Sequence, residues 1–215
     1  LSRTDELAHE LLSGNISLEE ANTLLDEIDL MPSPYGKILT GIAFGLSTSA
    51  FAMLMGAGWS EIIYSGLLGL MVYFWTLWAL RSKRVSQMLE PVASFSVGFL
   101  ACVINHYSAS GFNIWLIILS SLIILVPGLS LTMGLAELSS RNMVSGTARV
   151  MDATMQLFKL YFGAFLGVSL GYELFGQQEL AMAVTLPFWV NWLGVLMLSV
   201  GLVAIFRTRM KHVPW

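Results

Sequence analysis

From residue 35 onward the chain alternates between long apolar runs and short polar connections. Six runs stand out, at about 35–56, 59–80, 88–108, 113–133, 150–172 and 186–206. Each comes near the ~20 residues that a helix needs to span a bilayer. The short connections predict antiparallel neighbours. Residues 1–34 follow a different pattern. Leu7, Leu11 and Leu12 recur at helical spacing, and Gly14-Asn15 ends that helix. Ser17 and Glu20 then form a capping box, and Leu18, Ala21, Leu24, Leu25 and Ile28 make an apolar stripe that Pro32 and Pro34 terminate. The pattern predicts an all-α fold. It is a polytopic membrane protein with about six transmembrane helices, preceded by a short cytosolic helical hairpin that acts as a cap or as a regulatory element.

Composition strengthens the membrane reading. The chain of 215 residues is 56% hydrophobic and 12% charged, half of the ~25% charge typical of soluble domains, and its mean hydropathy is +0.72. The charges are segregated. Eight of the fourteen acids lie in the first thirty residues: Asp5, Glu6, Glu10, Glu19, Glu20, Asp26, Glu27 and Asp29. If the hairpin is cytoplasmic and the runs alternate, the inner side receives Arg3, Lys37, Arg81, Lys83, Arg84, Arg141, Arg149, Arg207, Arg209 and Lys211. The outer loops near Ala57, Ser110 and Gly176 receive none. This asymmetry predicts both ends of the chain in the cytoplasm of a cell (inner) membrane. The chain opens at Leu1, so residues upstream are expected. Cys102 is the single cysteine, which excludes an intrachain disulfide framework.

The chemistry concentrates between residues 126 and 171. Pro127 removes a backbone donor and Gly128 adds freedom, so the fourth run is expected to kink or unwind there. Broken helices at membrane depth offer carbonyls and amides to ions or substrate, and Ser130 and Thr132 lie just beyond. A plain kink re-satisfied by its neighbours is the competing reading. Glu137 and Arg141, four apart with the acid first, are expected to pair on a helix. Ser145-Gly146 is expected to turn the chain, and Arg149 to open the fifth helix. The trio Glu137, Arg141 and Arg149 reads either as a solvated interfacial salt bridge or as a latch at the cytoplasmic gate.

In the fifth run Asp152, Gln156, Lys159, Gly163 and Gly167 fall at intervals of 4, 3, 4 and 4, on one helix face. Asp152 is expected in the first turn. It lies about 10 Å along the axis from Lys159, so Gln156 or water would bridge them. Ionisable groups in an apolar helix are costly and are candidate sites by default. Lys159 either snorkels to the interface or serves a substrate anion or a proton-linked step. Gly163, Gly167 and Gly171, spaced by four, read as helix packing, as do Gly41 and Gly45. Glu90 is expected at the cytoplasmic interface. Asn105 and His106 are expected at the outer face, with Glu61, Glu173 and Glu179 as solvated charges at the outer mouth. No metalloprotease, hydrolase, phosphate-loop or cysteine-pair motif is present, so no enzyme and no metal or other cofactor is expected. The basic residues follow membrane orientation, and no nucleic-acid partner is expected.

Val126-Pro127-Gly128, Leu131-Thr132, Glu137-Leu138, Arg141, Ser145-Gly146, Ala148-Arg149 and the glycine-rich fifth helix together resemble the threonine/serine exporter family. Gly14-x-Ile16-Ser17-x-Glu19-x-Ala21, with Leu25 and Ile28, is similar to that family's cytosolic segment. Phe206-Arg207-x-Arg209 to Pro214-Trp215 looks like the loop after the first helix of its second half. The resemblance implies export of threonine and serine driven by the membrane potential and the proton gradient, or, in a related branch, export of dicarboxylates such as succinate. Members are about ten-helix proteins, sometimes split into two polypeptides. The resemblance therefore implies an acidic hairpin at 1–34, a five-helix first-half domain at 35–172, and at 173–215 an outer loop with the first helix of a truncated second half. Expected partners are a small-molecule substrate, the lipid bilayer, and the missing second half or a partner subunit. A homo-oligomer stays open, and so does a passive channel.

Overall fold

The computed structural model describes residues 36–108, 111–176 and 186–205. The hairpin expected at 1–34, Glu179 and the segment from Phe206 onward lie outside the described residues. The protein is an all-α polytopic membrane protein, and every regular element among the described residues is helical. In chain order these are α1 (Lys37–Leu54), α2 (Trp59–Ala79), the short α3 (Lys83–Gln87), α4 (Leu89–Tyr107) and α5 (Ile114–Leu122). A 3-10 turn (Ile123–Leu125) continues α5, and α6 (Gly128–Ser139), α7 (Met143–Phe175) and α8 (Trp189–Ile205) follow. By length and composition α1, α2, α4 and α7 can each cross a membrane, and the bent pair of α5 and α6 makes a fifth crossing when counted as one span. The described part of α8 is apolar but 17 residues long. The count among the described residues is thus four or five, with α8 as a further apolar helix described as far as Ile205.

Small residues set the packing. A Cβ on Gly45 would meet the Leu70 side chain at 3.1 Å and the Gly66 carbonyl at 3.3 Å, which draws α1 onto α2. Gly194 and Gly201 bring α8 onto the other side of α1, against Met53 and Ser47. On α7, a Cβ at Gly163 would lie 2.5 Å from the Pro91 carbonyl, one at Gly167 2.9 Å from the Phe99 nitrogen, and one at Gly171 2.5 Å from Cys102 Cβ. Residue numbers rise together along this contact, so α4 and α7 run parallel. Phe44, Leu68, Val72, Val97, Ile117 and Val168 fill the core between the helices. Large apolar side chains such as Leu67, Phe74, Phe158, Tyr161 and Leu196 stay exposed, which is the surface that lipid covers.

α7 departs most from the pattern read in the sequence. It begins at Met143 and runs for 33 residues, about 50 Å, against a hydrocarbon core of ~30 Å. Ser145-Gly146 therefore does not turn the chain but lies in the first turn of α7. Arg149 lies two turns inside the helix, and Asp152 is well past the first turn. The turn comes earlier, at Ser140–Asn142. There Arg141 adopts φ +63°, and the Arg141 and Asn142 amides donate to the carbonyls of Leu138 (3.0 Å) and Glu137 (2.9 Å). This is the hydrogen-bond pattern of a Schellman cap, with arginine where glycine is usual. Gly146 faces α6 instead: a Cβ on it would meet the Gly134 carbonyl at 2.9 Å.

Candidate functional site

The fourth apolar run breaks where the proline predicts it. Val126, the residue before proline, is extended (φ −69°, ψ 124°), because the proline ring disfavours the helical conformation in its predecessor. Pro127 sits at φ −79°, ψ 53°, and the Gly128 amide donates to the Val126 carbonyl across it at 2.8 Å, an inverse γ-turn. α6 leaves the break at 63° to the preceding segment. A bend this sharp takes backbone carbonyls out of the helical ladder, and each needs another donor if it is buried. The Leu125 carbonyl receives one from α7: Gln156 Nε2 donates to it at 3.3 Å.

That bond fixes the depth of the polar stripe. Gln156 reaches across to the break and does not bridge Asp152 to Lys159. Lys159 is half-buried and is the midpoint of α7, sixteen residues from each end. It has no ion-pair partner among the described residues. Asp152 is exposed two turns nearer the basic end of the bundle, where Lys37, Arg81, Arg141 and Arg149 lie. Beyond the break, the Thr132 hydroxyl is exposed and donates to the Leu129 carbonyl of its own helix at 2.9 Å. Ser130 is half-buried, and Gly128 is exposed with open space where a Cβ would go.

At the basic end, Glu137 pairs with Arg149, not with Arg141. Arg149 Nε lies 3.0 Å from Glu137 Oε1, and the Ser145 hydroxyl donates to Glu137 Oε2 at 2.6 Å. The reason is the cap. The left-handed turn at Arg141 ends α6 and folds α7 back along it, so the second turn of α7 faces Glu137.

The opposite end carries a carboxylate that the sequence pattern placed in solvent. Glu61 is buried at 6% exposure. Its Oε2 accepts from the Gly58 amide at 2.6 Å, and its Oε1 from the Asn113 amide at 2.7 Å. One acid thus ties together the N-termini of α2 and α5, where the helix dipoles favour negative charge. The spacing Gly58-x-x-Glu61, half of a capping box, was the available signal. Asn105 is buried as well and accepts from the Phe112 amide at 2.9 Å, whereas the His106 ring packs 4.8 Å from that of Phe175.

Among the described residues, four buried polar atoms lack a hydrogen-bond partner: the hydroxyls of Ser47, Ser65 and Ser120, and Glu90 Oε2. No sequence pattern marks them, because only the packing of neighbouring helices decides which serine or glutamate is enclosed. A groove lined by Lys37, Phe74, Leu77, Trp78, Leu80 and Arg81 belongs to α1 and α2, and neither Pro127 nor Lys159 lines it.

A broken span thus lies beside a polar helix face, in a membrane bundle whose described elements are all helical. The family model described as "Putative threonine/serine exporter" matches residues 1–171. The chain belongs to the threonine/serine exporter family. In this exporter family chain the match takes in α1 to α6 and most of α7. Among curated relatives, the chain is similar to pheromone-regulated membrane protein 10 of Yarrowia lipolytica, with 33% identity over 78% of this chain and 14% of the relative. It is similar to the protein of that name from Eremothecium gossypii, with 26% identity over 97% of this chain and 28% of the relative. It also resembles the one from Debaryomyces hansenii, with 30% identity over 79% of this chain and 17% of the relative. The chain thus spans between about a seventh and just over a quarter of these relatives' length. No solved structure matches.

Proposed function

We propose that this chain forms part of a secondary transporter that exports threonine and serine through the break at Pro127, coupled to the proton gradient. The observation that carries the reading is the Gln156–Leu125 bond beside Lys159. It brings a half-buried amine, an amide and a disrupted backbone to one depth of the bundle. In this reading Lys159 and Gln156 receive the substrate carboxylate. Ser130 and Thr132 contribute hydroxyl oxygens, which retain acceptor capacity, and Pro127-Gly128 supplies backbone groups. Asp152 lies on the same path, nearer the basic end. Glu137, Arg149 and Ser145 close the basic end, which faces the cytoplasm of the cell membrane, and Arg141 shapes that latch through the turn.

Family membership supports an exporter and does not choose its cargo. A dicarboxylate exporter uses the same helices, and so does a passive channel. A partner-subunit role uses the same helices as well. The complete protein in proteoliposomes separates these. Counterflow of radiolabelled threonine, serine and succinate identifies the cargo, and a pH jump across the vesicle membrane separates proton-coupled export from passive flux. Absence of threonine and serine counterflow overturns the reading.

A further inference from the structure

We propose that Glu90 binds the ammonium group of the substrate and so makes the site specific for a zwitterion. The proposal rests on the exporter reading, in which Lys159 and Gln156 hold the carboxylate.

Glu90 lies in the first turn of α4. Helical spacing sets it on the face that carries Ala93, Ser94, Val97 and Ala101, all at 0% exposure. That face turns into the bundle and not toward lipid. The residue after it, Pro91, touches α7 at Gly163, where a Cβ would lie 2.5 Å from the Pro91 carbonyl. Lys159 is one turn before Gly163 on α7. The parallel register of α4 and α7 therefore brings Glu90 and Lys159 to the same depth, and Gln156, which holds the Leu125 carbonyl, is one turn of α7 away from Lys159.

Among the described residues neither charge has a partner. Glu90 is half-buried, its Oε2 is enclosed there without a hydrogen bond, and Lys159 makes no ion pair. The two do not meet each other, although the register sets them at one depth. A buried carboxylate oxygen left without a donor is strongly unfavourable, so a site that retains one suits a ligand that brings the donor. An acid and a base held apart at one level match an α-amino acid, whose ammonium answers Glu90 and whose carboxylate answers Lys159. A dicarboxylate would set a second anion against Glu90, and this repulsion is the element that excludes it.

The test is counterflow of labelled threonine by the complete protein in proteoliposomes, with serine, 3-hydroxybutyrate (threonine without its ammonium group) and succinate as competitors. Serine should compete in the wild type, and the other two should not. Glu90→Gln should raise the KM for threonine about 10-fold or more and narrow the preference for threonine over 3-hydroxybutyrate by a similar factor. Glu90→Asp, which keeps the charge, should retain the preference. It also keeps the inference testable if the glutamine variant yields no folded protein, because loss of the preference in Glu90→Asp would then overturn it. An unchanged preference in a folded Glu90→Gln protein overturns the inference and leaves the exporter reading standing. A wild type that takes succinate ahead of threonine also overturns the inference. A wild type that moves no amino acid overturns the exporter reading as well.

Discussion

Gln156 Nε2 donates to the Leu125 carbonyl at 3.3 Å across the break in the fourth span. The bond joins the middle of α7 to the last residue before the proline turn, so the broken backbone and the polar stripe form one structure. Replacing Gln156 by Leu, which fills similar space without a donor, leaves that carbonyl unsatisfied. The expected loss of stability is about 1–3 kcal/mol, read as a lower thermal midpoint of the purified protein. Gln156→Asn, one methylene shorter, should recover little of it.

The ion pair at the basic end separates two arginines that the sequence treats alike. Glu137→Ala and Arg149→Ala should be non-additive in a double-mutant cycle, because one partner is useless without the other. The coupling should be about 0–1 kcal/mol and fall with added salt, since both side chains remain partly exposed. Glu137→Ala and Arg141→Ala should simply add.

Arg141 itself holds a left-handed backbone at φ +63°. Arg141→Gly removes the clash of its Cβ with the backbone and should stabilise the turn by up to about 1 kcal/mol. An unfolding titration would detect this as a higher midpoint with unchanged slope. A lower midpoint would mean that the arginine side chain contributes a contact worth more than the strain.

A glycine in the α4–α7 contact and one at the break should respond differently. Gly167→Ala sets a methyl against the Phe95 carbonyl and the Phe99 amide of α4. These are backbone atoms that cannot step aside, and the cost should be about 1–3 kcal/mol. Gly128→Ala meets nothing within 4 Å and should fold normally. Yield and thermal midpoint in one detergent suffice for the comparison.

Lys159→Ala should abolish counterflow in proteoliposomes while the protein still accumulates and folds. A half-buried amine with no ion-pair partner among the described residues gives the fold little to lose. Wild-type transport by this variant would remove Lys159 from the site.

The sequence alone determined the class of molecule and the position of the break. Apolar runs near the length of a bilayer can satisfy their backbone only as helices, and proline cannot continue a helical ladder wherever it sits, so the bend at Pro127 was legible from one residue. The stripe of Asp152, Gln156 and Lys159 was legible too, because helical periodicity is local. Partner choice was not. Glu137 meets Arg149 because Arg141 adopts a backbone that arginine rarely takes, and no composition announces that turn. Glu61 and Glu90 read as interfacial acids, yet the first is enclosed by two helix N-termini and the second has one carboxylate oxygen shut away from solvent. Which charges are buried, and beside what, follows from how separate helices pack, and that was decided only in the tertiary structure.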